Sequence, residues 1–181
     1  HVGATYINYG KFAGYDESGT PTNSFGGSEV AVSIGHARNI AFTNFHVGGN
    51  FKIISSNLET YSSYGVALDI GLMYIYEDWD LHITGVARNL GTQIKPYETQ
   101  IEKLPFEMIF GISQTLENIP IRWHFTLENM QRWNVAFANP NRDETDLEGN
   151  STQEKINFID NAFRHMIIGI EIFPESGFNL R

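Results

Sequence analysis

The chain has 181 residues with 21 acidic against 12 basic side chains, a formal charge of −9, so it repels a phosphate backbone and nucleic acid is not an expected partner. It has no cysteine, which excludes disulfides, thiolate metal sites and Cys nucleophiles together. A 13% aromatic content and 17 glycines favour many short strands, and no run approaches the roughly 18 apolar residues of a membrane helix, so a bilayer could be crossed only by a closed barrel.

Period-two alternation, the mark of a strand with one apolar and one polar face, recurs along almost the whole chain. Strand-like sequence begins directly after His1 with no targeting segment, and a long connection over Lys11–Gly27 follows. In Ser28–His36, Val30, Val32 and Ile34 share one face, and Glu29, Ala31, Ser33 and Gly35 the other. From Val47 to Ser55, Val47, Gly49, Phe51 and Ile53 oppose Gly48, Asn50, Lys52 and Ile54, and a second long connection is expected over Ser56–Ser63. The longest run is Val66–Tyr76, where Val66, Leu68, Ile70, Leu72, Tyr74 and Tyr76 oppose Ala67, Asp69, Gly71, Met73 and Ile75.

After a tight turn at Glu77–Asp80, Leu81, Ile83 and Ala87 face away from His82, Thr84 and Arg88, and a long connection runs over Gly91–Lys103. Phe106, Met108, Phe110 and Ile112 then oppose Glu107, Ile109, Gly111 and Ser113, with a tight turn at Glu117–Pro120. Ile121, Trp123, Phe125 and Leu127 oppose Arg122, His124, Thr126 and Glu128. Residues Asn129 to Arg132 interrupt the pattern before Trp133, Val135 and Phe137 resume it, which leaves two expectations, one bent strand over Ile121–Phe137 with a bulge there or a short separate strand after the break. Within the long connection Asn139–Phe163, Ile156, Ile159, Ala162 and Phe163 recur at helical spacing, which predicts a helix over Thr152–Arg164 capped by Ser151. A further tight turn is expected at Pro174–Gly177, and Gly177–Arg181 reads as the opening of another strand. Both ends are therefore expected to be breaks in a longer barrel.

Alternation alone serves a soluble β-sandwich or a lipocalin-like barrel equally well. Three features favour a membrane barrel. Runs of about 10 residues suit a tilted strand crossing hydrocarbon, whereas soluble strands cluster near 5 or 6. Tyr6, Tyr9, Tyr61, Tyr64, Tyr74, Tyr76 and Trp79 stand near strand ends, as an interfacial girdle requires. Lys52, Asp69, His82, Arg88, Glu107, Arg122, His124 and Glu128 on the polar faces are too many for a dry interior and suit a lumen. Connections that are long in odd places and short in even places fit the same architecture. The predicted fold is thus all-β, a single domain over 1–181: an antiparallel transmembrane outer-membrane β-barrel seen as a fragment of nine to ten strands, with one short helix in a long loop.

Catalytic chemistry is not expected. The six histidines include no His-x-x-x-His or Glu-x-x-His pair; the Glu77, Asp78, Asp80 cluster is read as a solvated turn in preference to a cation site, as are Asp143, Glu144, Asp146 and Glu148, which lack the spacing and the glycine of a calcium loop. Phe25-Gly26-Gly27 and Gly48-Gly49 lack the features of a phosphate loop, and no Gly-x-Ser-x-Gly elbow exists. No catalytic residue, metal site or cofactor is assigned, and the chain is read as a protein that is not an enzyme.

Five segments in order carry a resemblance. They are Tyr6-Ile7-Asn8-Tyr9-Gly10 with Phe12 and Asp16-Glu17-Ser18-Gly19; Gly49-Asn50-Phe51-Lys52 with Leu58-Glu59 and Tyr61-Ser62-Ser63; Ala87-Arg88-Asn89-Leu90-Gly91; Leu104-Pro105-Phe106-Glu107; and Arg164-His165 leading into Ile168-Gly169-Ile170-Glu171. In these the chain resembles the PorQ family, within the PorV-like group of FadL-type outer-membrane barrels. The resemblance implies a component of the Bacteroidetes type IX secretion system in the bacterial outer membrane. Its partners would be outer-membrane lipid, a surface protein of the PorZ type and other members of the cell-surface attachment complex, and its role would be docking, with no catalytic residue to carry over. The alternative is a FadL-like transporter of hydrophobic small molecules, which needs an apolar tunnel where these inward faces are charged.

Overall fold

The strands form because β-branched and aromatic residues alternate with small or polar ones, and each alternating run lies beside the next in the chain. In the computed structural model, which describes residues 1–137, 144–145, 151–152 and 156–173, eight strands make one antiparallel sheet. They are β1 (Val2–Phe12), β2 (Phe25–Asn39), β3 (Phe45–Leu58), β4 (Tyr61–Tyr76), β5 (Leu81–Lys95), β6 (Glu107–Thr115), β7 (Ile121–Leu127) and β10 (Met166–Ile172). Two-residue strands β8 (Glu144–Thr145) and β9 (Ser151–Thr152) pair separately, and one helix, α1 (Phe158–His165), directly precedes β10. The order is linear, β1-β2-β3-β4-β5-β6-β7-β10, so among the described residues the sheet is open, with β1 and β10 as its edges. The all-β antiparallel class and the single short helix follow the sequence pattern; a closed ring of strands is not what this order makes.

The chain divides into two compact units, one comprising residues 1–74 and 86–106, the other residues 75–85 and 107–181. In the first, register fixes the faces. Val32 pairs with Ala4 and Ile53, and Ile53 with Val66; Ile34 pairs with Val2 and Phe51, and Phe51 with Leu68. Directly opposed residues of an antiparallel pair point to the same side. Apolar side chains therefore lie in cross-strand rows on one face, while Ser33, Lys52 and Ala67 share a row on the other.

Residues 96–106 fold back onto that polar face. Asn89 donates from Nδ2 to the Pro105 carbonyl at 2.9 Å, Gln93 reaches Ser63 at 3.1 Å and accepts from the Glu102 N–H at 2.7 Å, and Tyr97 bonds Ser56. The closest-packed spot of the unit is here: Ala67, Gly65 and Ser63 are buried.

In the second unit, β6, β7 and β10 repeat the segregation. Ile112 pairs with Phe125 and Phe125 with Ile168, while Thr115 pairs with Arg122 and Arg122 with Glu171.

Several sequence expectations need correction. The connection expected over Ser56–Ser63 is a tight hairpin, because β3 continues to Leu58, β4 starts at Tyr61, and Glu59 takes the turn at φ 56°. Strand β5 runs to Lys95, so the next connection spans 96–106 rather than 91–103. Ile121–Phe137 is not one bent strand. β7 stops at Leu127, Asn129 adopts φ 56°, and the N–H groups of Val135 and Ala136 are taken by the Asn161 side chain at 3.1 and 3.0 Å instead of by a neighbouring strand. The helix begins at Phe158 rather than Thr152, with Asn157 as cap in place of Ser151; the Asn157 N–H donates to Asp160 Oδ2 at 3.0 Å, completing a capping box, and Ser151 and Thr152 belong to β9. The turn at Pro174–Gly177, the strand expected from Gly177, and Asp143, Asp146 and Glu148 lie outside the described residues.

Candidate functional site

The two faces of the sheet are unlike in chemistry, and the apolar one is the more exposed. In the first unit Ile34 is 60% and Ile53 52% exposed, whereas across the sheet Ala67 is 2% and Ser63 5%. A soluble sheet puts these the other way round. The rows of this face run from Tyr6–Val30–Ser55–Tyr64 at one margin to Phe45–Tyr74 at the other. The Phe45 and Tyr74 rings are 4.9 Å apart, and Lys95 Nζ sits 5.7 Å from the centre of the Tyr64 ring. Tyr64 and Tyr74 are ten residues apart on one strand. At about 3.3 Å per residue that is about 33 Å along the strand.

The opposite face of this unit carries a network. Lys52 Nζ lies 2.7 Å from Asp69 Oδ1 and donates to Asn89 Oδ1 at 2.6 Å. The Asn89 N–H donates to Asp69 Oδ1 at 2.9 Å, and Asn50 Nδ2 reaches Asp69 Oδ2 at 3.3 Å. Asn89 can serve the carboxylate with its backbone and the ammonium with its side chain because it adopts φ 58°, a left-handed conformation that Asn tolerates better than most residues. Glu29 accepts from Ser56 Oγ at 3.1 Å and also bonds Tyr9.

In the second unit a relay crosses the polar side. His82 Nε2 is 3.0 Å from Asp80 Oδ1, Thr115 bonds the Asp80 carboxylate, Arg122 Nε donates to Thr115 Oγ1 at 3.0 Å, and Arg122 Nη1 stands 3.5 Å from the buried carboxylate of Glu171. The Thr115 hydrogen bond, helped by His82 and offset in part by burial, holds the Asp80 carboxyl below its usual range. Further along, His165 is almost wholly buried, its Nδ1 2.6 Å from the Glu128 carbonyl and its Nε2 3.0 Å from the Trp133 carbonyl, with its ring stacked on Trp133 at 5.1 Å.

Of the polar residues singled out from the sequence, Lys52 and Asp69 meet directly, and His82 and Arg122 belong to one relay. His124 lies beside Gly169, on the same face as Arg122. Arg88 is exposed, while its neighbour Asn89 does the bridging; Glu107 is half-buried; Glu128 contributes its backbone to His165. Of the aromatics, Tyr6, Tyr64 and Tyr74 stand at the margins of the apolar face, and Tyr76 packs edge-on against Trp79 at 5.5 Å. Tyr9, displaced by the bulge between Asn8 and Gly10, meets Glu29 of the polar face, and Tyr61 has the strand parity of Ser63. Sequence reasoning missed Asn89, Glu171 and the Asn161–His165 pair. An Asn inside an alternating strand was the available signal for the first.

Chemically, most of these groups serve one another's hydrogen bonds and charges, with Asn50 Oδ1 buried and without a hydrogen-bond partner. Among the described residues no three His, Asp or Glu side chains come together as a metal site. Comparison with family models, curated proteins and solved structures gives no match.

Proposed function

We propose that the chain is part of an outer-membrane β-barrel of the type IX secretion system, anchoring a partner protein of the cell-surface attachment complex. The observation that carries the membrane half of this reading is the exposed apolar face, bordered by Tyr6, Tyr64, Phe45 and Tyr74 and backed by a hydrogen-bonded polar face; at the strand tilt of about 40° that a barrel imposes, those margins stand at a depth of about 25 Å. That depth matches the hydrocarbon band of bacterial outer-membrane barrels, and aromatic margins with Lys95 over Tyr64 suit headgroup level. In a bilayer neither β1 nor β10 can keep an open edge, so this reading requires both to be paired. The secretion-system half rests on the resemblance of the five segments to the PorQ family.

The test is isolation of the native protein from membranes in mild detergent, with mass spectrometry of whatever co-purifies. A stoichiometric surface protein of the attachment complex is the expected result. Recovery without detergent would overturn the barrel. A lone barrel carrying bound lipid would replace the anchor with a transporter of hydrophobic molecules.

A further inference from the structure

Helix α1 is amphipathic in the reverse of the usual sense. Asn161 and His165, one turn apart, are buried, tying the helix to the backbone of Glu128, Trp133, Val135 and Ala136. On the opposite side of the helix Ile159 is 62% and Phe163 67% exposed, and Ile156, just before the cap, continues that stripe. An exposed stripe of this kind on a water-facing loop would be an aggregation liability.

The structure also shows what lies next to it. His165, the last residue of α1, is followed without a linker by Met166, the first of β10, so the stripe abuts the strand whose Ile168 and Ile170 are among the most exposed residues of the unit. Those two pair with Phe125 and Trp123 on the apolar face of β7.

We propose that α1 is an interfacial helix, lying at the rim of the membrane band with Ile156, Ile159 and Phe163 in the boundary between headgroups and acyl chains. The inference rests on the membrane reading above and deepens it: the occupant of the stripe is lipid, because the three side chains of the stripe are apolar, it adjoins in the chain the exposed Ile168 and Ile170 of β10, and the neighbouring Asp160 carboxylate is engaged by the Asn157 N–H at 3.0 Å. Arg164, exposed beside it, is long enough to bring its guanidinium to phosphate level. Such helices sit about 5–10 Å into the boundary. The buried polar side then has a purpose, since the side-chain hydrogen bonds of Asn161 and His165 fix which face the helix turns outward.

Because the chain has no cysteine, single labels are clean. Ile159→Cys and Phe163→Cys, each carrying a nitroxide, are compared with Ile70→Cys on the apolar face of β4, in the full chain reconstituted into phosphatidylcholine and phosphatidylglycerol vesicles. Collision with oxygen and with a water-soluble nickel chelate is measured. The expected result is oxygen-dominated collision at all three sites, deep at 70 and shallow at 159 and 163. Nickel-dominated collision at 159 and 163 with oxygen at 70 overturns the interfacial helix and leaves the barrel standing. Nickel-dominated collision at 70 overturns the membrane reading itself. Protection from both reagents at 159, or dipolar broadening between copies, means protein covers the stripe and likewise overturns the lipid assignment.

Discussion

In the first unit the polar face is covered: Ser63, Gly65 and Ala67 are small, and residues 96–106 lie over the strands that carry them. The second unit meets the same need with large side chains, Arg122 against Glu171 and Thr115 across β6, β7 and β10, and a separate clamp in which Asn161 and His165 bind the segment after β7. Strands of 11 to 16 residues accompany the first arrangement and strands of 7 to 9 the second. Backbone–backbone closeness sets the tolerance of the first unit, and side-chain pairing that of the second, so the two should respond to different mutations.

The largest effect is expected where backbone meets backbone. A Cβ at Gly91 would stand 2.0 Å from the Val66 carbonyl oxygen and 2.7 Å from Ala67 Cα. Gly91→Ala should cost about 3 kcal/mol in denaturant unfolding of the detergent-solubilised protein. At Gly169 the atoms nearest to an added Cβ belong to the His124 ring, a side chain and not backbone, so Gly169→Ala should cost less, about 1 kcal/mol. Equal losses would erase the distinction between the units.

Next comes Asp69→Ala, which takes the acceptor from Lys52, the Asn89 amide and Asn50 together. With the pair only partly shielded from water, about 2–3 kcal/mol is expected, and Lys52→Met with Asp69→Leu should recover part of it. Failure of the double variant to recover would mean that the network positions residues 96–106 as well as satisfying charge.

A smaller loss, about 1–2 kcal/mol, is expected for Asn161→Ala, which takes the side-chain acceptor from the Ala136 N–H and one of two acceptors from the Val135 N–H, leaving the latter the Trp133 carbonyl at 3.1 Å. Amide exchange should accelerate at Val135 and Ala136 while the β2–β3 ladder stays protected. Loss of protection in both would show that α1 supports more than its own unit.

The smallest effect concerns acid. Because the Asp80 carboxyl is held below its usual range, the stability it contributes is present above the ordinary carboxylate pKa of about 3.9 and is lost as pH falls through the lowered value. Asp80→Asn should flatten the acid limb of a stability–pH curve, and an unchanged limb would show that Asp80 contributes little to it.

The alternation was legible wherever packing follows period two. Val30, Val32 and Ile34, Phe51 and Ile53, and Leu68, Ile70 and Leu72 each share a face within their own runs by alternation, and the register joins the three runs into one apolar face. Less legible were the places where the backbone leaves that period. Glu59 and Asn129 at positive φ and the bulge at Asn8 are single-residue choices, and the same sequence could have looped or continued. The helix start failed for a related reason: Ser151 and Asn157 are both good caps, and what favours the second is Asp160 three residues on.

By itself, then, the sequence determined an all-β antiparallel chain with one apolar and one polar face, because side-chain direction alternates with position and needs no partner to be read. Only the tertiary structure decided which polar groups meet. Lys52, Asp69 and Asn89 come from three strands, Arg122 and Glu171 from two strands separated by a helix, and no local rule sets their distances. It also decided that the apolar face is the exposed one, since exposure depends on what the connections cover, and residues 96–106 cover the polar side.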